Sequence, residues 1–392
     1  MEPHGLGGRA QPTGEAGSVA PVDARQRTFW RRRVVALAVP ALLVGVAVGA
    51  LSQESGESSE GDDGGAKQAP SDLPERDVHL KIAVSGDLLI HGPVAAQALV
   101  YGNGERYQFR PMLGQVRRIV RRADLGICHL EQPLTSGVPS GEPVFRAPQG
   151  LAGAIRWTGW DACSTASNHS MDGGLEGIDF TLKRLDRVGV RHSGTNSSPS
   201  APRAAMLEAK GVKVALLAYT SLIPGLTPPE ESWRLNMVDP RRILADARRA
   251  RRRGAAVVIV SLHWGIEYQH EPSDFQRRVA RRLTASPDVT AVIGQHVHVV
   301  QPIRRVNGKP VVFGEGNLLS NQTAACCVPE SQDGMVVLLH VRAGQDGVKV
   351  ERVRYVPTQV AHPSFEIVRS SGESRRRTIG YAGRRPWLAP AP

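Results

Sequence analysis

Short apolar runs alternate with segments of helical periodicity along much of this chain, and one unit shows the pattern most clearly. Residues 257–260 and 291–294 are apolar runs of strand length, and histidines follow each run closely. Between the runs, Phe275, Val279 and Leu283 recur at the i, i+4, i+8 spacing of a helix. The pattern predicts a strand–helix–strand unit whose strands are parallel neighbours with their carboxyl ends side by side.

The same alternation precedes this unit and changes after it. Further strands are predicted at residues 79–86, 124–129, 161–166, 190–194 and 212–220, and helices at 111–122, 151–157, 174–188 and 240–253. After residue 302 the predicted strands, at 310–313, 334–341 and 348–356, have no helices between them. We therefore expect an α/β fold with helices outside the sheet, and a second sheet formed by the helix-poor end.

An uncharged run of Val, Ala, Leu, Gly and Pro occupies residues 34–51, close to the roughly 20 residues that cross a bilayer. Residues 31–33 are all arginine and precede the run directly, and acidic residues follow it. This asymmetry predicts a single-pass membrane anchor at residues 34–52, with a cytoplasmic N-terminus and an extracellular main domain. A cleaved signal peptide is the alternative, because residues 48–50 (Val-Gly-Ala) resemble a small-residue cleavage site.

Composition divides the rest of the chain into further segments. Residues 1–33 have no apolar period and are interpreted as a disordered cytoplasmic tail. Residues 53–77 are rich in Ser, Gly, Glu and Asp, which predicts a flexible linker. The folded domain is predicted at residues 78–365, and residues 366–392, rich in Arg, Gly and Pro, are predicted to be a basic tail.

The net charge of +12 comes mostly from arginine, and it is compatible with nucleic acid, anionic lipid or an acidic polymer as partner. No aromatic residues interleave with the arginine-rich segment at residues 241–253 to stack on bases. Nucleic acid is therefore not expected as a partner, and the arginines can also be simply a solvated helix face.

The four cysteines show no C-x-x-C spacing, so the sequence does not indicate a zinc knuckle. Cys128 and Cys163 lie in apolar, strand-like runs, and we expect them to be buried free thiols. Cys326 and Cys327 are neighbours in the sequence, and adjacent cysteines rarely bridge each other.

Polar side chains that can bind metal follow the predicted strands at the points where they end. Carboxyl ends of neighbouring parallel strands share one edge of the sheet, where ligands collect. The residues are Asp87, His129, Glu131, Asn168, His169, His263, His296 and His298. Carboxylate, amide and imidazole groups together suit one or two divalent ions of Mn, Zn or Fe. In such a site His169 could protonate a leaving group, and Asp172 could orient its imidazole.

The stretches AVSGDLLIHG, ADLGICHLEQPLTSG, VFRAP, SNHSMDGG, SLHWGIEYQHEPSDFQ and GQHVHVVQPI occur in this order in the sequence. In this combination the chain resembles the CapA family of poly-γ-glutamate capsule synthesis proteins, within the calcineurin-like metallophosphatase superfamily. The resemblance implies a four-layer α-β-β-α sandwich and a cell-surface role in assembly, release or anchoring of a polyglutamate capsule.

The resemblance also implies roles for single residues. The implied metal ligands are Asp87, Glu131, Asn168, His263, His296 and His298, and the implied general acid is His169. The chain departs from the superfamily pattern in three places. Asp87 lacks the histidine two residues later, Glu131 stands where the superfamily has aspartate, and the final histidine motif is one residue longer. Three further residues are candidate members of the site: His91, His129 and Arg146.

The leading hypothesis is a membrane-anchored, extracytoplasmic, metal-dependent hydrolase or transferase of poly-γ-glutamate capsule biosynthesis. Its expected partners are that polymer or another anionic envelope polymer, the membrane, and a membrane synthase complex. An envelope phosphoesterase is an alternative, because paired metals polarise phosphoryl oxygens. An alternative of another class is a non-catalytic component that binds polyglutamate or the synthase.

Overall fold

Two large β-sheets with helices on their outer faces, and a separate two-stranded sheet, make up the computed structural model, which describes residues 73–222 and 229–391. The strands, numbered in chain order, are β1 (Val78–Leu88), β2 (Leu125–Leu130), β3 (Leu134–Thr135), β4 (Ala147–Pro148), β5 (Ala162–Ser164), β6 (Arg191–Ser193), β7 (Ala205–Ala209), β8 (Val212–Thr220), β9 (Val257–His263), β10 (Ala291–Gln295), β11 (Ile303–Val306), β12 (Lys309–Val312), β13 (Asn317–Leu319), β14 (Asp333–Gly344), β15 (Gly347–Ala361), β16 (Glu366–Arg369) and β17 (Leu388–Pro390). The helices are α1 (Gly92–Tyr101), α2 (Arg110–Val120), α3 (Gly150–Thr158), α4 (Gly174–Arg187), α5 (Pro240–Arg252), α6 (Asp274–Thr284) and α7 (Gly372–Ala382). Short 3-10 helices span Pro229–Arg234 and Pro329–Gln332. The mixed α/β class expected from the alternating pattern is confirmed.

The first sheet has the strand order β16-β15-β14-β1-β2-β5-β6, with β13 paired to β1 and β17 paired to β15. Strands β1, β2, β5 and β6 run parallel to one another. Strands β14, β15 and β16 extend the sheet in antiparallel fashion on the other side of β1. The predicted late strands at 334–341 and 348–356 are β14 and β15 of this sheet, whereas the one at 310–313 is β12 of the other sheet. The helix-poor end of the sequence therefore does not form a sheet of its own.

The second sheet has the order β11-β12-β10-β9-β8-β7. Strands β8, β9, β10 and β12 are parallel, and β7 and β11 form antiparallel edges. Strands β9 and β10 are direct neighbours, with His263 opposite Gln295 in the register. The predicted strand–helix–strand unit around α6 is therefore confirmed, and its two carboxyl ends lie together.

Successive residues of a strand point to opposite faces of its sheet, so each face packs in a different apolar cluster. These clusters show which layers lie on either side of each sheet. In β1, Ile82 and Val84 pack in a cluster with residues of both sheets, including Ile259 and Ile293. Ala83 faces the opposite side, in a cluster with residues of α1, α2 and α3. The outer side of the second sheet packs against α5 and α6. The order of layers is helices, sheet, sheet, helices.

The predicted N-terminal segments at residues 1–33 and 34–52, and most of the predicted linker at 53–77, lie outside the described residues. Within residues 73–222 and 229–391, no helix has the length and the apolar character that a bilayer crossing needs.

The prediction of a basic tail at residues 366–392 is wrong for the part of it that the structure describes. Strand β16, helix α7 and strand β17 occupy this segment, and β17 pairs in parallel with β15. Leu388 is buried in the cluster between the sheets, and Arg377 forms an ion pair with Asp333 at 2.9 Å. The segment is rich in arginine but also contains a few apolar residues that are buried in the fold. Composition alone therefore predicted a tail where the chain is folded.

The cysteines also differ from expectation. Cys128 of β2 and Cys163 of β5 are opposite each other in the parallel register, with 4.5 Å between their Cα atoms, and form a disulfide. Cys326 and Cys327 form a second disulfide. The sequence could not reveal the first pair, because the adjacency of β2 and β5 is a property of the sheet order.

Candidate metal centre

The carboxyl ends of β1, β2, β9 and β10 meet at one edge of the two sheets and bring the predicted ligands together. Asp87 lies near the end of β1, and Glu131 follows β2 directly. His263 is the last residue of β9, and His296 follows β10. Three groups of candidate ligand atoms, each within 4.8 Å of one another, result: Asp87, His129 and His263; Asp87, Glu131 and His298; Glu267, His296 and His298.

Glu131 occupies the middle of this arrangement. Its Oε1 atom lies 3.9 Å from Nε2 of His263 and 3.9 Å from Nε2 of His298. The side chain is fully buried, and neither carboxylate oxygen has a hydrogen-bond partner among the described residues. Burial, and then the neighbouring charge of Asp87, raises the pKa of Glu131 well above its usual value. A buried carboxylate without partners is costly unless a cation compensates it, so these residues fit a divalent metal.

The His298 side chain lies between those of Glu131 and Asp87. Its Nδ1 atom lies 3.2 Å from Oδ2 of Asp87 and 3.0 Å from Oδ1 of Asn317. Burial alone would lower the pKa of His298, but the charge of Glu131 and the hydrogen bond to Asp87 raise this pKa to about 10. Conversely, burial would raise the pKa of Asp87, but the contacts with His298 and the other imidazoles lower it.

His263 faces the site with one ring nitrogen and the protein interior with the other. Its Nε2 atom lies 2.8 Å from Oδ1 of Asn168, and its Nδ1 atom lies 3.0 Å from Nε2 of His129. The other nitrogen of His129, Nδ1, is 2.6 Å from Oγ of Ser164. Burial lowers the pKa of His129 to about 4 and that of His263 well below its usual value. Both rings are therefore neutral, which is the form that binds metal.

His296 is held by an unusual backbone. Its φ angle is +89°, and its N–H donates to Oδ2 of Asp87 at 3.3 Å. Its Nδ1 atom is buried and has no partner among the described residues. Burial, together with the charge of His298, lowers the pKa of His296 to about 3. A non-glycine residue at positive φ is strained and needs support from its surroundings, and the bond to Asp87 is part of this support.

His169 and Asp172 form a pair beside the ligands. Nδ1 of His169 lies 2.8 Å from Oδ2 of Asp172, and this same oxygen accepts from the backbone N–H of Phe145 at 2.6 Å. The ring of Phe145 packs edge-on against His169, with 4.6 Å between centroids. Asp172 therefore lies where it can orient the His169 ring, and Nε2 of His169 has no hydrogen-bond partner among the described residues.

The remaining candidates lie at the edge of the site or outside it. Nδ1 of His91 is 3.1 Å from the carbonyl oxygen of Leu89, and burial lowers the pKa of His91 to about 4. Arg146 is exposed, and its Nε donates to Oγ of Ser140 at 3.2 Å. Neither residue belongs to a ligand group within the described part of the chain.

Glu267 is a site residue that the sequence analysis missed. It is exposed, yet its carboxylate belongs to the group with His296 and His298. The only available signal was its position four residues after His263, in the same histidine-containing stretch.

Comparison with known proteins gives a match over much of the described domain. Residues 81–322 match the family described as "Bacterial capsule synthesis protein PGA_cap". The chain is 28% identical over 200 residues to the "PGA biosynthesis protein CapA" of Bacillus subtilis, covering 47% of this chain and 48% of the relative. It is 24% identical over 229 residues to the "Capsule biosynthesis protein CapA" of Bacillus anthracis, covering 57% and 53%. The chain thus spans about half the length of the curated relatives it matches.

Solved structures show a more distant similarity. The calcineurin-like phosphoesterase YfkN of Bacillus subtilis is 16% identical with a TM-score of 0.46, covering 78% of this chain and 96% of that one. A 5'-nucleotidase precursor of Thermus thermophilus is 14% identical with a TM-score of 0.43, covering 78% and 58%. Both TM-scores are below 0.5, so the fold assignment rests on the sheets and helices themselves.

Proposed function

The chain belongs to the bacterial capsule synthesis protein PGA_cap family, and we propose that it is a metal-dependent hydrolase or transferase of poly-γ-glutamate capsule biosynthesis. The observation that carries this proposal is the position of Glu131, which is buried, has no hydrogen-bond partner among the described residues, and lies 3.9 Å from both His263 and His298. A site built only for stability would satisfy such a carboxylate with hydrogen bonds.

The donor set supports one or two divalent ions of Mn, Zn or Fe. The proposed ligands are Asp87, Glu131, Asn168, His263, His296 and His298. Imidazole and carboxylate donors match these metals. A bound ion of this kind supplies Lewis-acid polarisation of a carbonyl or phosphoryl oxygen.

His169 is the proposed general acid. Asp172 accepts a hydrogen bond from Nδ1 of His169, which holds the ring and directs its Nε2–H away from Asp172. This proton can then pass to the leaving group as the scissile bond breaks. The edge-on contact with Phe145 limits rotation of the ring.

The proposed location is the outer side of the cell membrane, with the N-terminus in the cytoplasm and residues 34–52 as the anchor. Support comes from the uncharged run at residues 34–51, the arginines before it, and the two disulfides, which are typical of oxidising compartments. A cysteine introduced near Gly65 should react with an impermeant thiol reagent in intact cells. Protection of that cysteine would contradict this location.

The proposed substrate or partner is poly-γ-glutamate or another anionic envelope polymer, which suits a chain of net charge +12. A membrane synthase complex is a further proposed partner. Two other functions remain to be separated from the proposed one: an envelope phosphoesterase, and a non-catalytic component that binds polyglutamate or the synthase.

One panel of substrates separates these functions. The purified, metal-loaded chain should cleave or transfer γ-glutamyl substrates. Turnover of phosphodiesters or phosphomonoesters alone would favour the phosphoesterase. Binding of polyglutamate without turnover of either class would favour the non-catalytic component, and it would overturn the enzymatic proposal.

A further inference from the structure

Glu267 brings a third carboxylate to the metal centre from its solvent side. Its ligand oxygen and the ligand nitrogens of His296 and His298 lie within 4.8 Å of one another. The two histidines are buried, with exposed fractions of 5% and 3%, whereas Glu267 is exposed. The group therefore lies at the boundary between the buried ligands and solvent.

The backbone after β9 is fastened to the turn that carries both histidines. The N–H of Tyr268 donates to the carbonyl oxygen of Val297 at 2.8 Å, and the N–H of Trp264 donates to that of Gln295 at 3.2 Å. Gly265 has a φ angle of +106°, and a Cβ atom there would lie 2.6 Å from Cγ1 of Val297. The loop can approach this closely because a glycine is present, and the approach places Glu267 beside the histidines.

The conformation and contacts of Tyr268 also show that the loop after β9 is held in place. Its φ angle is +62°, a strained value for a bulky residue. Its hydroxyl accepts from Nε2 of Gln322 at 3.2 Å, and its ring lies 6.1 Å from that of His298 between centroids. Tyr268, the neighbour of Glu267, is thus hydrogen-bonded both to the turn that carries the two histidines and to the segment after β13.

The unsatisfied atoms of the centre point to a cation at this boundary. His296 has a buried Nδ1 atom without a partner, and both oxygens of Glu131 lack partners among the described residues. Asp87 and Glu131 supply two negative charges, which offset only part of the charge of two divalent ions. A third carboxylate would reduce the remaining positive charge.

We propose that Glu267 is a ligand of a divalent cation that it binds together with His296 and His298. This inference rests on the proposed metal-dependent function and adds to it a ligand outside the set that the sequence motifs supplied. One carboxylate and two imidazoles suit Mn, Zn or Fe. Three protein ligands leave coordination positions open on the solvent side, as catalytic sites require.

The chain offers a matched control in Glu271, four residues further along the same loop. Glu271 is also exposed, but its Oε2 pairs with Nη2 of Arg304 at 3.1 Å, and it belongs to none of the ligand groups in the described part of the chain. Glu267→Gln and Glu271→Gln therefore make the same chemical change, and only the first removes the proposed ligand.

The test is a titration of both full-length variants and of the wild type with Mn²⁺ and Zn²⁺. Calorimetry or competition with a chelator measures the affinity in each case. Glu267→Gln should weaken binding by about 10–100-fold or more, since even residues that only support a ligand cost this much. Glu271→Gln should bind like the wild type. Equal affinities for the two variants would overturn the assignment of Glu267.

A spectrum separates ligation from a simple effect of charge. With saturating Co²⁺, the visible absorption of Glu267→Gln should differ from that of the wild type and of Glu271→Gln, because the set of ligand atoms has changed. Identical spectra would overturn ligation by Glu267. A wild type that binds no metal would instead overturn the proposed function itself, so the two failures are distinguishable.

Discussion

The imidazole of His129 is hydrogen-bonded to that of His263, with 3.0 Å between Nε2 of His129 and Nδ1 of His263. If Nε2 of His263 binds metal, its Nδ1 carries the proton and donates to His129. His129 then donates from Nδ1 to Oγ of Ser164, which lies 2.6 Å away. The proton on Nδ1 of His129 leaves its Nε2 as the acceptor for His263. His129 therefore sets the tautomer of the proposed ligand His263 without needing to bind the metal.

Substitution of His129 should therefore weaken the metal centre through His263. We expect His129→Leu to lower metal affinity by about 10–100-fold, the usual cost of losing a supporting hydrogen bond. His129→Gln should retain most of the affinity, because its side-chain oxygen can still accept from His263. Metal titration of both variants checks this. A loss of one full equivalent of metal in both would show that His129 is itself a ligand, with Asp87 and His263.

Substitution of His169 should separate catalysis from metal binding. His169→Asn should leave the metal content unchanged and lower turnover by about 10²–10⁴-fold, the usual contribution of a general acid. The loss should be smaller for substrates whose leaving group needs no proton, such as an aryl phosphodiester. Metal analysis and kinetics on matched substrates measure both effects. Undiminished turnover on all substrates would remove His169 from the mechanism.

Metal affinity should rise with pH, because a proton must leave the site before metal binds. In the metal-free protein the charge of Glu131 and the bond to Asp87 raise the pKa of His298 to about 10, against the opposing effect of burial. His298 is thus protonated at neutral pH, and the raised pKa of Glu131 favours a bound proton there too. Metal binding should therefore release at least one proton, and the affinity should rise at least about tenfold per pH unit below the pKa of His298. Calorimetry at pH 6, 7 and 8 in buffers of different ionisation enthalpy measures the proton release. An affinity independent of pH would contradict the prediction.

Glu315 should make the metal-free fold less stable as the pH rises. This fully buried side chain accepts from Nε2 of Gln295 at 3.0 Å, and burial raises its pKa to about 8, from 4.5. A carboxyl whose folded pKa is raised contributes stability that is present below pH 4.5 and is lost as the pH rises through 8.

The variant Glu315→Gln resembles the protonated form and removes this titration. The difference in unfolding free energy between variant and wild type should therefore grow in favour of the variant between pH 5 and pH 8. This difference should change with pH by up to about 1.4 kcal/mol for each pH unit. Urea unfolding in the presence of a chelator measures the difference at each pH. A difference that is constant or shifts towards the wild type at high pH would show that Glu315 is not held neutral.

The grouping of the candidate histidine ligands could be predicted because each follows an apolar run and the carboxyl ends of parallel strands meet. His263 and His296 are near neighbours in space for this reason alone, through the register of His263 with Gln295. Asn168 was harder to place, since β5 ends at Ser164 and a turn intervenes. Its place after the predicted strand at 161–166 singled it out, and the resemblance to a known family implied its role as a ligand.

Helical periodicity placed α6 correctly but assigned the wrong residue to the core. Phe275 fits the spacing, yet it is 38% exposed, whereas the adjacent Gln276 is fully buried. The Gln276 side chain accepts from the N–H of Ser273 at 2.8 Å and donates to Gln301 at 2.8 Å. A pattern of apolar residues cannot identify a buried amide whose hydrogen bonds come from a helix cap and a distant loop.

Glu267 could not be predicted for a different reason. It is an exposed charged residue in a loop, and such residues are usually solvated. Its importance depends on the bond between Tyr268 and Val297, which joins loops that follow two different strands. Only the folded chain shows that this carboxylate lies beside His296 and His298.

Metal analysis of the purified full-length chain, with Glu131→Gln beside the wild type, tests the central claim most directly. Both proteins would be loaded with Mn²⁺, Zn²⁺ or Fe²⁺, freed of weakly bound metal by gel filtration, and measured by elemental analysis. The wild type should retain one or two equivalents per chain. Glu131→Gln, which keeps the shape of the side chain and removes its charge, should retain far less. A wild type that holds no metal, or a variant that keeps the full amount, would contradict the account.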